Sequence, residues 1–322
     1  MTISVVIATY NRAPLLREAL EHLGRQRYQE GDEVIVVDNA STDTTADVIA
    51  RAAAGFPVAL RRVRETTPGK TPALNAGLAA AKGQIFALTD DDVLVADDWI
   101  DTIRRIFRDE SLALAGGRVD PRWERPAPSW LRVEQQDCYG PMASPLALLH
   151  YGDAQPLGHR TAVGANLIVR RDVLQALGGF APHLGRQRGT LLCGEDHDFC
   201  RRAVSAGYVC EYRPELRVRH WVPANRVRLR YYLRWFFWSG VTDAVLKTDH
   251  EKNAAPVRHL LRRILSAPPA ALAYLIAGRQ ADAAERMMDG AFAFGYLWES
   301  LKRSRRGLLR TSRPDAAIGA RG

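Results

Sequence analysis

Two rhythms of apolar residues alternate through the first 120 positions. Residues 3–9, ISVVIAT, form an unbroken apolar, β-branched run, as expected for a strand covered on both faces. In APLLREALEHL (13–23), Leu15, Leu16, Ala19, Leu20 and Leu23 share one helical face, and Pro14 stands in the first turn. The pair then recurs. EVIVVD (33–38) predicts a second buried strand, followed by a helix over 44–54 with Thr44 and Asp47 at capping-box spacing. VALRRV (58–63) is a weaker third strand, and Pro72 opens a helix over 71–83. QIFALT (84–89) is a fourth strand. A further helix carries Trp99, Ile103, Ile106 and Phe107 on one face, with Asp97 and Asp98 at its start, where carboxylates favour the helix dipole. LALAGGRV (112–119) is another strand.

Strands alternating with helices imply a parallel sheet, because parallel strands need crossover connections. Ligands of such sheets bind outside the carboxyl ends of the strands. Thr9, Tyr10 and Asn11 follow the first strand, Asp38 ends the second, and Asp90, Asp91 and Asp92 follow the fourth. All three groups are therefore expected on one rim.

Charge distribution divides the chain. The net charge is +9, yet residues 221–322 hold 18 Lys+Arg against 8 Asp+Glu, while the first 220 hold 27 against 28. The four cysteines (Cys138, Cys193, Cys200, Cys210) form no C-x-x-C pair, which points to reduced thiols. The N-terminus reads as a first strand, not a signal peptide, and no stretch approaches the ~18 apolar residues of a bilayer span.

The three adjacent aspartates repel one another, and no Lys or Arg lies within residues 84–99 to neutralise them. The turn after the first strand, ATYNRAP, lacks the glycines of a dinucleotide fingerprint, and no P-loop motif is present. Clustered carboxylates suit a hard divalent cation such as Mg²⁺ or Mn²⁺, which bridges to a diphosphate.

Four blocks in order, SVVIATYNR, VIVVDNASTD, ALNAGLAAAKGQIFALTDDDV and GEDHDFCRRAVSAGY, resemble family 2 glycosyltransferases across residues 1–222. The resemblance implies a GT-A fold (an α/β, mostly parallel sheet flanked by helices) and inverting, metal-dependent sugar transfer from a nucleotide-diphosphate donor, most commonly a uridine one. It implies that Thr9 and Asn11 line the nucleotide pocket and that Asp38 accepts a hydrogen bond from the base. Lys70 and Asn75 would contact base or diphosphate, and Asp90 the ribose. Asp92 and His220 would ligate Mn²⁺ or Mg²⁺, and Asp91 would support the turn. Within GEDHDFCRRAVSAGY the residues themselves predict a helix from near Glu195 to Gly207, with Phe199, Ala203 and Val204 inward. Inverting transfer needs a base for the acceptor hydroxyl. By resemblance this is Asp196, with Glu195 orienting it or the acceptor. His197 reads as an exposed first-turn residue.

The expected organisation is a catalytic domain over 1–222, with a nucleotide-sugar half (about 1–119) and an acceptor half (about 120–222), then a helical region over 223–322. Trp123 and Trp130 lie in a Pro- and Trp-rich stretch without periodicity, as stacking platforms for sugar, lipid contacts or packing anchors. In the last hundred residues, arginines are interleaved with Tyr231, Tyr232, Trp235, Phe236, Phe237 and Trp238, and a basic cluster follows residue 300. No nucleic-acid motif accompanies them. They suit an anionic membrane surface, or packing on the catalytic domain or a second subunit. The expected role is synthesis of a bacterial surface polysaccharide or glycolipid at the cytoplasmic membrane face, on a saccharide or lipid-linked acceptor. A sugar nucleotidyltransferase would require a Gly-rich phosphate loop that is missing, and a non-catalytic scaffold would not need Asp38, Asp90, Asp92 and Asp196.

Overall fold

The computed structural model describes residues 1–186, 189–250 and 256–311, with side chains through 247 and from 256 to 303. The chain divides into two compact units, Met1–Tyr231 and Tyr232–Gly322.

The first unit opens with β1 (Ile3–Thr9), α1 (Ala13–Leu23), β2 (Glu33–Asp38), α2 (Thr45–Ala53), β3 (Ala59–Arg64), α3 (Lys70–Ala80) and β4 (Ile85–Asp90). Then follow β5 (Val93–Val95), α4 (Trp99–Ile106) and β6 (Leu112–Trp123). The rest of this unit adds β7 (Glu134–Gln135), β8 (Cys138–Tyr139), β9 (Gln155–Pro156), β10 (Leu167–Arg170), α5 (Arg171–Leu177), α6 (Glu195–Ser205) and β11 (Val209–Val222). The main sheet runs β3-β2-β1-β4-β10-β6-β11-β5. β3, β2, β1 and β4 are parallel, β10 is antiparallel to both its neighbours, and β11 is parallel to β6. This is a mostly parallel α/β sheet of the expected class.

Burial follows the apolar pattern. β2 is wholly buried, and Leu16, Ala19, Leu20 and Leu23 of α1 face the core, as do Trp99, Ile103, Ile106 and Phe107 of α4. The weak third strand is the sheet edge, where alternating exposure and the charges of Arg61 and Arg62 suit an unpaired flank. Trp123 and Trp130 are each half-buried, and no disulfide joins the four cysteines.

Three local expectations need correction. Thr44 makes no side-chain cap; Asp43 does that work, its Oδ1 accepting the Thr45 N–H (3.0 Å) and its Oδ2 the Ala13 N–H (3.1 Å). The strand expected to stop at 119 continues to Trp123, because β11 supplies a parallel partner along its whole length. The segment directly after the aspartates forms β5, antiparallel to Val218–His220 of β11.

The second unit contains α7 from residue 232 onward (the helix spans Leu229–His250), α8 (Val257–Ile276) and α9 (Gln280–Thr311). Its core gathers Ala244, Leu260, Ala293, Tyr296 and Leu297, with Ile264 against them. α7 and α9 approach at glycines: a Cβ on Gly240 would run into the Phe292 carbonyl, and one on Gly295 into that of Phe237. Tyr232 is buried and Trp235, Phe236, Phe237 and Trp238 are half-buried. Most of the basic cluster after residue 300 lies outside the described side chains.

Candidate active site

Register fixes the rim. Thr9 pairs with Asp38 across β1 and β2, and Ala8 pairs with Asp90 across β1 and β4. The turn after each strand therefore opens on the same edge.

The aspartates receive their cations from other elements. Arg12, which follows β1, donates Nη1 to Asp91 Oδ1 (2.9 Å) and to Asp92 Oδ2 (2.6 Å). Thr9 Oγ1 donates to Asp91 Oδ2 at 2.7 Å, so Asp91 is buried inside the turn that it braces. Lys70, at the start of α3, lies 2.9 Å from Asp90 Oδ1 and 4.0 Å from Glu195 Oε1. His220 Nε2 lies 3.3 Å from Asp92 Oδ1. β5 explains that approach: it leads directly from Asp92 into antiparallel pairing with His220, and the Trp221 N–H donates to the Asp92 carbonyl at 2.9 Å.

These charges perturb one another. Burial works against the ionised form of Asp92, but His220, then Arg12 and Arg226, hold its carboxyl far below the usual range. Asp91 goes the other way: burial, opposed by Arg12 and reinforced by Asp92, pushes it up to about 6. Glu195 is buried, and desolvation together with Asp196 pushes it up to about 7 against the pull of Lys70. Its Oε2 has no hydrogen-bond partner.

Asp90, Asp92 and His220 each offer one ligand atom within 4.8 Å of the others. His220 is buried and its Nδ1 has no hydrogen-bond partner. Burying such a nitrogen without a partner is unfavourable, and the ring's other nitrogen, Nε2, is the one beside Asp92. Two carboxylates and an imidazole form a donor set suited to a divalent ion between hard and borderline, so the residues fit a metal.

The other expected residues have more structural occupations. Asn11 adopts φ 51°, a left-handed conformation that Asn tolerates, and its Oδ1 accepts the Thr42 N–H at 2.7 Å. It thereby ties the β1 turn to the loop after β2. Asp38 is buried; its Oδ1 accepts the Ser41 N–H (2.9 Å) and its Oδ2 receives Arg62. Burial opposes its charge, but Ser41 and then Arg62 hold it below the ordinary carboxylate range. Both ends of the Asn75 amide are engaged by the Phe180 backbone, at 2.9 and 3.1 Å. Thr71 Oγ1 donates to the Leu184 carbonyl, and the Lys70 N–H to that of Arg186. One face of α3 thus holds the loop before α6.

α6 starts at Glu195 after Gly194, whose φ of 104° favours glycine. Its first turn places Asp196 against the rim, with Oδ2 accepting the Gly164 N–H at 3.1 Å and Oδ1 the His197 N–H at 2.8 Å. His197 is exposed.

Arg12, Arg62 and Arg226 are the site residues that sequence reasoning missed. Arg12 and Arg62 were discoverable, since buried carboxylates demand counter-charges and both arginines sit on the same rim. Arg226 carried no such signal: it comes from the irregular segment after β11 and is half-buried. Burial and then Arg186 lower its pKa, with Asp92 partly offsetting them.

Comparison with known proteins places this geometry. The profile of glycosyl transferase family 2 matches residues 4–178. The succinoglycan biosynthesis protein ExoM of Rhizobium meliloti is 29% identical over 250 residues, covering 77% of this chain and 75% of ExoM. A glucosyl-dolichyl phosphate glucuronosyltransferase of Haloferax volcanii is 24% identical over 268 residues, covering 79% of this chain and 82% of its own. Among solved structures, the mannosyltransferase PcManGT from Pyrobaculum calidifontis, in complex with GDP-Man and Mn²⁺, shares the fold. It aligns with a TM-score of 0.59 at 24% identity, covering 97% of this chain and 81% of that one. Ordered blocks, sheet topology and a family match over more than half of its length agree: the chain belongs to glycosyl transferase family 2 and is a glycosyltransferase of GT-A fold.

Proposed function

We propose that this protein is an inverting, divalent-metal-dependent glycosyltransferase that takes its sugar from a nucleotide diphosphate. The observation that carries the reading is the convergence of Asp90, Asp92 and His220 from two chain segments, with ligand atoms within 4.8 Å of one another and His220 Nε2 beside Asp92. These three side chains would hold the ion, and the imidazole favours Mn²⁺ over Mg²⁺. Bound there, the ion would neutralise charge developing on the departing diphosphate. The complex of PcManGT with GDP-Man and Mn²⁺ is in keeping with that chemistry.

In this reading Asp38 receives the base, preferentially the N–H of a uracil. Ser41 and Arg62 occupy two of its acceptor positions, and a carboxylate offers about four. Thr9, Asn11 and Asn75 shape the pocket through the turns they fix, and Asp90 faces the ribose. Lys70 and Arg226 supply cations on the diphosphate side. Asp196 takes the proton from the acceptor hydroxyl as that oxygen attacks the anomeric carbon, and Glu195 orients it through Lys70 and α6. A second reading exchanges the carboxylates: Glu195 is the one raised to about 7, a value suited to a base near neutral pH. The names of the two relatives, one in succinoglycan biosynthesis and one acting on a dolichyl phosphate glycolipid, support a surface polysaccharide or glycolipid product. A lipid-linked acceptor would bring residues 1–222, as catalytic domain, and residues 223–322 to the inner membrane face.

The experiment is turnover of UDP- and GDP-sugars with Mn²⁺, with the product anomer read by NMR. Inversion is expected from a single displacement; a retained configuration removes the mechanism.

A further inference from the structure

Among the described residues no helix is long and apolar enough to cross a membrane. Yet the second unit turns an aliphatic face outward. On α8, Val257, Leu261, Leu265, Leu272, Leu275 and Ile276 are exposed, with Leu265 at 73% and Ile276 at 80%. At helical spacing all six fall within about a third of the helix circumference. Leu260, Ile264, Ala267 and Ala271 lie on the adjoining face, turned into the unit's own packing. α8 thus has an inner apolar face that is covered and an outer one, about 30 Å long at 1.5 Å per residue, that is exposed among the described residues. Soluble monomers rarely leave such a continuous apolar strip in water.

The charges say what covers it. α8 contains three arginines, all within its first seven residues, and no acidic residue. Arg263 is paired with Asp289, while Arg258 and Arg262 are exposed at the edge of the strip, and no ion pair holds them among the described residues. Packing α8 against a second copy of itself matches nothing to this charge. A parallel pair sets arginine against arginine, and an antiparallel pair sets the arginines against Leu272 to Ile276. A surface that is anionic at its outer edge and apolar just beneath fits both features, and that is the headgroup–acyl boundary of an anionic bilayer. Depth is limited by Pro268 and Pro269, exposed in mid-helix. Their missing N–H groups leave the carbonyls of Ile264 and Leu265 without helical donors, which requires water or headgroups nearby.

We infer that the outer face of α8 is a membrane-docking surface, lying in the plane of an anionic lipid leaflet with its aliphatic strip shallowly inserted. The inference deepens the membrane-associated part of the proposed function and replaces the α7 aromatics, which are half-buried, as the contacting element.

Sedimentation of the full chain with vesicles tests it. Wild type should bind phosphatidylglycerol-containing vesicles at low salt and ignore pure phosphatidylcholine. Leu265→Glu/Ile276→Glu should lower partitioning at least about tenfold, and Arg258→Gln/Arg262→Gln roughly fivefold per charge. Both substitutions lie on the exposed face, so melting temperature and Mn²⁺-dependent hydrolysis of nucleotide sugar in solution should remain at wild-type values. No binding by wild type, or unchanged binding by the Leu265/Ile276 variant, overturns the inference. So does a wild-type dimer that this variant converts to monomer without altering sedimentation, which makes the face a protein contact. Intact hydrolysis alongside lost docking would leave the catalytic reading standing, whereas absent hydrolysis with intact docking would sink that reading alone.

Discussion

At the ends of β1, β2 and β4 this protein draws charges inward; along α8 it turns aliphatic side chains outward. Asp38, Asp91, Asp92 and His220 are nearly inaccessible, while Leu265 and Ile276 are mostly in water. Each arrangement is unfavourable in isolation. Buried carboxylates lose hydration, and exposed leucines gain nothing from folding. On the rim the cost is offset by Arg12, Arg62, Lys70 and His220, which arrive from distant parts of the sequence. On α8 no such compensation is found among the described residues, and in our proposal a lipid surface supplies it. The comparison separates a site organised within the fold from a surface organised for something else.

The largest way to break the contrast is at the start of α6. Asp196→Asn keeps size and removes the base, so transfer should fall about 10²- to 10⁴-fold while nucleotide binding persists. Transfer at the wild-type rate would move the role elsewhere. The pH profile identifies where: a base must be ionised, so a Glu195 base at about 7 makes the rate climb as pH rises through neutrality. A limb there that vanishes in Glu195→Gln assigns the role to Glu195.

A smaller effect is expected at Arg226, whose charge faces Asp92 and is opposed by burial and Arg186. An arriving diphosphate relieves that opposition. Arg226→Gln should weaken binding of a nucleoside diphosphate roughly tenfold, measured by calorimetry, a loss typical of one charge-assisted contact. Unchanged affinity would mean that Arg226 serves only the fold.

How much of this was legible depends on whether a residue's role is set locally. The buried strands, α1, α4 and the start of α6 announced themselves through periodicity, because each buries a face defined by its own sequence. The one-rim placement of Thr9, Asp38 and the aspartates follows from parallel topology alone. β5 did not show, being three residues long and stabilised by pairing with β11, more than a hundred residues away. That pairing also brings His220 to Asp92. Thr44 makes no cap, and Asp43 instead takes the Thr45 N–H at the helix start and also reaches α1. In the second unit, composition revealed basic and aromatic residues but not which way they face. Trp235 to Trp238 suit a membrane surface in sequence and are half-buried in the fold; the aliphatic residues of α8 drew no such reading and are exposed.

A predicted effect on stability, not on activity, sharpens the other side of the comparison. Gly295→Val would force a side chain into the Phe237 carbonyl, so α7 and α9 must separate. Destabilisation of about 1–3 kcal/mol is expected in thermal or urea unfolding. Wild-type stability would show that the glycine contact does not hold the helices together.

The most direct test of the central claim is Mn²⁺ titration, read by electron paramagnetic resonance with a nucleoside diphosphate present, in wild type and Asp92→Asn. The account predicts a bound-ion signal in wild type that Asp92→Asn weakens by at least about tenfold, with transfer abolished by EDTA and restored by Mn²⁺. Equal Mn²⁺ affinity in the two proteins, or full transfer in EDTA with the metal verified absent, would contradict it.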